Sequence, residues 1–118
     1  MKSKDIKIGR IYYFFNPAKN LYDSEYDRVI VYSLNQPYRD EFNVQYINRS
    51  HSNMDFVAMD YQLYENVSDL IESLDDFYKN QINRLSEGHD YIRREIKRHF
   101  SDEIKNENRI KIFNELKK

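Results

Sequence analysis

The densest set of side chains able to do chemistry is a run of cations, Arg93, Arg94, Lys97 and Arg98, with His99 beside it. On a helix, residues 93/97 and 94/98 are one turn apart, so the cations form adjacent rows beside Ile92 and Ile96. Like-charged neighbours at that spacing cost about 0.2–0.5 kcal/mol per pair. Such a row can meet nucleic-acid phosphates or an acidic protein surface. The plainer reading is a solvated face, partly offset by Glu95 and Asp102.

Other reactive types are sparse. The histidines, His51, His89 and His99, show no metal-ligand spacing, and cysteine is absent. Disulfides, thiolate catalysis and zinc–thiolate sites are therefore excluded. His51, in a polar turn beside Arg49, Ser50 and Ser52, could act as a general base; a surface turn residue explains it as well. His89 falls on an apolar ladder, where it reads as a packing or hinge residue. Only Gly9 and Gly88 are glycine, 79 residues apart. Phosphate-cradling loops need several glycines so that backbone N–H groups can approach the ligand. No cofactor, no metal and no catalytic residue is expected.

Aromatic residues offer a second kind of contact. Tyr12, Tyr13, Tyr32, Tyr46 and Tyr61 could stack nucleobases from a sheet, although such rings more often fill a core. Tyr22, Tyr26 and Tyr38 fall in stretches read as loops, near Arg28 and Arg39. Exposed tyrosine and arginine are typical binding anchors. Tyr22, Tyr26, Tyr38 and Arg39 thus join Arg93, Arg94, Lys97 and Arg98 as candidate partner-binding residues.

The elements that must position these residues change rhythm near Asn66. Thirteen of the eighteen aromatic residues precede it. In that half, short runs of aromatic and β-branched residues alternate with turn residues. Strands are expected at Ile6–Phe15 (kinked at Gly9), Arg28–Ser33, Phe42–Asn48 and Phe56–Met59. Residues 18–27 read as a loop, a turn surrounds Pro37, and Tyr61–Glu65 reads as either a 3₁₀ turn or a fifth strand. Beyond Asn66, which with Ser68 is a candidate N-cap, apolar residues recur every three or four positions: Val67, Leu70, Ile71, Leu74, Tyr78, Ile82, Leu85, His89, Ile92, Ile96 and Phe100. A single helix over that span would be roughly 50 Å long. Either Ser86–Asp90 breaks it, with Gly88 in the left-handed C′ position and Asp90 capping a second helix, or it continues and projects. The break is preferred. Ser101-Asp102 can cap a further helix whose Ile110, Phe113 and Leu116 would be buried; the alternation Arg109–Ile112 also permits a strand.

The expected fold is α+β in a single domain over 1–118. A small SH3-like barrel or curved antiparallel sheet of four or five strands (1–66) precedes a helical part (67–118). The charge supports packing between helical segments: residues 67–90 hold six acids and two bases, residues 91–118 nine bases and five acids. Antiparallel packing within the chain would neutralise these patches. So would a homodimer through residues 67–100, with Ile71, Leu74, Tyr78, Ile82, Leu85, Ile92 and Ile96 at its seam.

The stretch Ile8-Gly9-Arg10-Ile11-Tyr12-Tyr13, a loop with Pro17, then Arg28-Val-Ile-Val-Tyr-Ser33 resembles the opening of small SH3-like barrels. It is similar in outline to the MazF/PemK-type toxin barrels, over about a quarter of the chain. In that family an arginine and a downstream serine or threonine carry RNA cleavage, and only Arg28 matches by motif. The family's Arg-Pro pair is absent, since Arg28 follows Asp27 and precedes Val29. The resemblance implies barrel geometry.

With 19 basic and 20 acidic residues the net charge is close to zero, so bulk nucleic-acid affinity is not implied. The charged N-terminal residues lack the apolar stretch of a signal peptide, and no run is long and apolar enough to span a membrane. The expectation is a cytoplasmic, non-enzymatic macromolecule-binding protein: an adaptor, inhibitor or regulator, with a protein partner favoured over nucleic acid. Its Lys-, Asn-, Ile-, Asp- and Tyr-rich composition suits an AT-rich genome, such as a low-GC bacterium or its phage, and the expectation is a phage- or mobile-element-encoded protein acting on a host protein or protein–nucleic acid complex. The alternatives are an RNA- or DNA-binding protein or degenerate MazF-like ribonuclease, and a structural subunit assembling through its helices.

Overall fold

The computed structural model describes residues 1–17, 23–47, 55–79 and 86–117. Five strands, β1 (Ile11–Asn16), β2 (Glu25–Leu34), β3 (Glu41–Tyr46), β4 (Phe56–Met59) and β5 (Leu63–Tyr64), precede three helices, α1 (Val67–Lys79), α2 (Ser86–His99) and α3 (Ser101–Leu116). The strands form one curled antiparallel sheet in the order β4-β3-β2-β1-β5, a half-barrel. The expected α+β architecture, curved sheet first and helices second, is what the chain adopts.

Alternation along each strand decides which side chains the curl encloses. Tyr12 and Phe14 of β1, Val29 and Val31 of β2, Phe42 and Val44 of β3, Ala58 and Leu63 are buried together. Ile6 covers them from the N-terminal segment, and the buried Tyr12 hydroxyl accepts a hydrogen bond from the Lys7 amide at 2.8 Å. The first strand is shorter than expected. Gly9 has φ +87°, in the left-handed region where a side chain is strained, so the chain bends there. Gly9 and Arg10 together face Val31, the Gly9 amide donating to the Val31 carbonyl and the Val31 amide to the Arg10 carbonyl, and the regular ladder begins at Ile11. At its far end Asn16 pairs with Glu25, Phe15 with Tyr26 and Phe14 with Asp27, so β2 includes part of the stretch read as a loop. Both readings of the segment after β4 hold in succession: a 3₁₀ turn at Asp60–Gln62, then β5.

The other face of β1 carries Tyr13 and Phe15, which meet the helices. Phe15, Val67, Leu70, Leu74, Tyr78, Ile92, Ile96 and Phe100 form a second buried cluster, with Tyr13, Tyr26 and Tyr64 packed against it. Asn66 caps α1, its side-chain oxygen accepting from the Asp69 amide at 2.8 Å. The chain reverses direction before α2: His89 Nε2 lies 2.7 Å from Asp75 Oδ1. On one continuous helix those residues would stand about 21 Å apart. The helical run is thus broken, but not at Gly88. That residue lies inside α2, as does Asp90, so neither plays the capping role expected of it. Ile82 and Leu85 fall outside the described residues.

Phe100 is the joint between α2 and α3. Its amide donates to the Ile96 carbonyl, and its carbonyl accepts from the Ile104 amide, both at 2.9 Å. Its ring, 1 % exposed, packs edge-on against Tyr13 with centroids 5.1 Å apart. Further along α3, Glu107 accepts from the Val67 amide at 2.8 Å and the Ser68 hydroxyl at 3.0 Å. A carboxylate there meets unpaired amides at the positive end of α1.

Two stability measurements check this construction. Phe100→Ala should cost about 3–5 kcal/mol in urea unfolding, as for a buried ring whose site cannot collapse. Glu107→Ala should cost about 1–2 kcal/mol, the range of a lost helix cap. A loss below about 0.5 kcal/mol for Phe100→Ala would contradict its role as the joint.

Candidate interaction surfaces

The cation run lies on α2, but its members have unequal freedom. Arg93 turns inward, its Nε 3.2 Å from Asp75 Oδ1, where it joins His89 in tying α2 to α1. The His89 ring stacks on Tyr78 at 4.6 Å. Arg98 is exposed but pairs with Glu95 at 2.5 Å, and that hydrogen bond pushes its pKa further up. Arg94 and Lys97 are exposed and make no ion pair among the described residues. With Asp90 and Arg93 they line a shallow depression on the outer side of α2.

The tyrosine set divides too. Tyr26 is not a loop residue: it belongs to β2, and its ring meets His99 at 5.5 Å and Phe100 at 6.4 Å. Burial pushes its phenol pKa up. Tyr38 and Arg39 are exposed in the turn between β2 and β3, where the Tyr38 amide donates to the Asn35 carbonyl at 2.9 Å. Tyr22 lies outside the described residues, as does His51 with its neighbouring serines. Among the rings considered for base stacking, Tyr12 is buried and Tyr13 and Tyr46 pack against the two cores, which leaves Tyr32 and Tyr61 exposed.

The seam expected to mediate self-association is used inside the chain. Leu74, Tyr78, Ile92 and Ile96 are buried against the sheet and each other, and Ile71 is packed beside them. The reason is the reversal before α2, which folds the apolar ladder onto itself and onto Phe15. Leu74, Tyr78, Ile92 and Ile96 are thereby covered within the chain, while Ile71 keeps part of its surface and Ile82 and Leu85 lie outside the described residues.

Arg28 sits where the sheet meets the helices, 4.0 Å from Glu103 of α3. Asp27, its neighbour, lies 3.3 Å from His99 Nε2. A carboxylate can orient an imidazole as a general base. Here the pair also clamps β2 to the end of α2, at the edge of an open cleft of about 300 Å³ lined by Glu25, Tyr26 and Tyr91. Among the described residues no three His, Asp or Glu side chains are grouped so as to hold a metal ion, and no helix is long and apolar enough to cross a membrane.

Two surfaces escaped the sequence reading. The first is α3. Ile110, Phe113 and Leu116, expected to be buried, are 60 %, 57 % and 79 % exposed, and Ile112 is exposed with them. Helical spacing explains the difference. The inward line runs Ile96, Phe100, Ile104 and would continue to Glu107 and Lys111, which are polar. Lys105, Arg109, Ile112, Phe113 and Leu116 share the opposite side. Lys117 Nζ lies 4.5 Å from the centre of the Phe113 ring, a cation–π contact. The second surface is the part of the outer sheet face beyond the helices. Ile11 and Val57 are exposed there around a polar network: Asn43 donates to Ser33 Oγ at 2.9 Å, while Gln45 and Tyr32 both hydrogen-bond to Asp55.

The network has a readable titration. Donation to the Asp55 carboxylate raises the Tyr32 pKa to about 12, and the same bond lowers that of Asp55. The Tyr32–Asp55 bond is therefore in place at neutral pH. It is lost as pH rises through the raised Tyr32 value, or as pH falls through the lowered Asp55 value. In a tyrosine-ring NMR titration Tyr32 should ionise near pH 12, and Asp55→Asn should return it toward the ordinary value. An ordinary Tyr32 midpoint in the unaltered chain would show that the bond does not form.

No family model, curated protein or solved structure matches this chain.

Proposed function

We propose that this protein acts by binding, as an adaptor, inhibitor or regulator of another macromolecule, and that its principal contact is the outward side of α3. The observation that carries the reading is the trio Ile112, Phe113 and Leu116, each more than half exposed on one side of a helix that is held to the fold near Ile104 and Glu107. A folded domain that leaves such large apolar side chains together in water gains by covering them. The flanking Lys105 and Arg109 select the cover: an apolar groove with acidic residues at its rim, which receives α3 as a helix in a groove. Pairing α3 with a second copy of itself would bring those cations together with Lys117, so a different protein fits better.

A nucleic-acid partner is less well supported. Arg93 and Arg98 are already paired with Asp75 and Glu95, so α2 offers phosphates chiefly Arg94 and Lys97. Two neutralised phosphates give a shallow dependence on salt, on the order of two powers of salt concentration.

The test compares two sets of substitutions in the full chain. Ile112→Ser with Phe113→Ser and Leu116→Ser should leave the melting temperature within a few degrees, because all three side chains are exposed. It should abolish capture of a discrete protein from a nuclease-treated lysate of a low-GC bacterium. Arg94→Glu with Lys97→Glu should leave that capture intact. Capture that disappears with nuclease, or that survives the α3 substitutions but not those in α2, would overturn the reading in favour of nucleic acid.

A further inference from the structure

Where the end of β1, the 3₁₀ turn at Asp60–Gln62, β5 and α1 converge, the surface opens into a small cleft of about 220 Å³. It lies apart from the α3 side that carries the proposed function. Phe15 and Leu74, both buried, line it at depth, together with Tyr64. Tyr61 and Phe77 contribute to the lining while remaining 63 % and 43 % exposed. Aromatic rings that stay in water beside an apolar hollow have surface to gain from an inserted group.

The lining decides what that group is. None of the described residues that line the cleft is charged. Apart from the Tyr61 hydroxyl at its mouth, the polar side chains of the lining are engaged with each other and with the turn. The Tyr64 hydroxyl and Ser73 Oγ are hydrogen-bonded at 2.9 Å. Gln62 donates to Asn16 Oδ1 at 3.2 Å and accepts from the Met59 amide at 2.9 Å. A sugar, a phosphate or the hydrogen-bonding edge of a base would lose water at several groups there and gain too few partners, whereas a phenol or indole has one polar group to satisfy, at the mouth beside Tyr61. Size narrows the choice further. An apolar cavity of about 150 Å³ takes a benzene ring, whereas sites for drug-sized ligands run from about 300 to 1,000 Å³.

We propose that this cleft is a binding site for one neutral aromatic ring of the phenol or indole class. The ring enters between Tyr61 and Phe77 and rests on Phe15 and Leu74. Its source is either a free small molecule or an aromatic side chain on a polypeptide, and the two share the chemistry that the cleft reads.

The chain contains no tryptophan, so indole fluorescence excited beyond the tyrosine band reports the added ligand alone. Titration of indole, and separately of N-acetyltryptophanamide, should saturate with a dissociation constant of about 1 mM or tighter. Phe77→Ser and Tyr61→Ala, both at exposed rings, should each weaken binding at least about tenfold, or about 1.4 kcal/mol. Circular dichroism checks that each variant folds, and either one suffices for the test. Phe113→Ala should leave binding unchanged, which separates this site from the α3 surface. Equal affinity for the two ligands indicates recognition of the ring alone; tighter binding of the amide indicates a side chain on a polypeptide. Either result supports the site. Absence of saturation, equal weakening by Phe113→Ala, or tryptamine bound at least tenfold more tightly than indole would overturn it, the last by replacing a neutral ring with a cation.

Discussion

Strand β1 belongs to two cores at once, and the rest of the molecule is arranged around that constraint. Tyr12 and Phe14 point into the curl of the sheet, while Tyr13 and Phe15 point toward the helices. A strand with large apolar groups on both faces must be covered on both. The sheet covers one face by curling; α1, α2 and the Phe100 joint cover the other. Full burial of a ring of this size contributes roughly 1.5–3 kcal/mol, so Tyr12, Phe14 and Phe15, with Tyr13 partly covered between them, dominate the local balance. The helices are therefore not an appendage to a finished barrel. They supply the second half of the burial that β1 needs.

Charge then sets how the helices meet. The acidic side of α1 and the basic side of α2 come together at one carboxylate, Asp75, which faces both His89 and Arg93. The groups lie at the margin of the contact, where side-chain exposures of 22–40 % keep water close. Such pairs contribute modestly to stability. Their larger effect is on register: the helices are aligned by a pair of contacts to one residue, while Leu74, Ile92 and Ile96 supply the burial. The same geometry withdraws Arg93 from the outer surface and reduces what α2 can present to an anionic partner.

Much of the sheet was legible because its signal is local. Alternation located β3 to within two residues and β4 without error, and Asn66 was identifiable as a cap from its type and the apolar ladder behind it. What was not legible depends on non-local pairing or on competition between faces. Glu25–Asp27 looks like loop, yet it is a strand because β1 lies alongside to pair with it. Gly88 looks like a helix terminator, yet packing of the surrounding Ile92 and Ile96 holds it within α2, and the loss relative to alanine is only about 1 kcal/mol. The exposed side of α3 was hidden by counting apolar residues without asking which side of the helix they share with Ile104. The aromatic cleft draws on three separate stretches of chain, and no spacing records their convergence.

The α3 helix can also be viewed as a rod fixed at two points. The Phe100 ring is its pivot and the Glu107 carboxylate its stay, separated by about 10 Å along the axis. Beyond the stay, nine residues to Leu116 extend about 13 Å further. A load applied to those free turns has a longer arm than the one between the two supports. The stay consists of directional hydrogen bonds, which weaken steeply with misalignment. The pivot is a ring enclosed by contacts, which tolerates rotation. The rod consequently swings about Phe100 before it leaves its seat, and the first backbone group to feel the motion is the opening amide of α1.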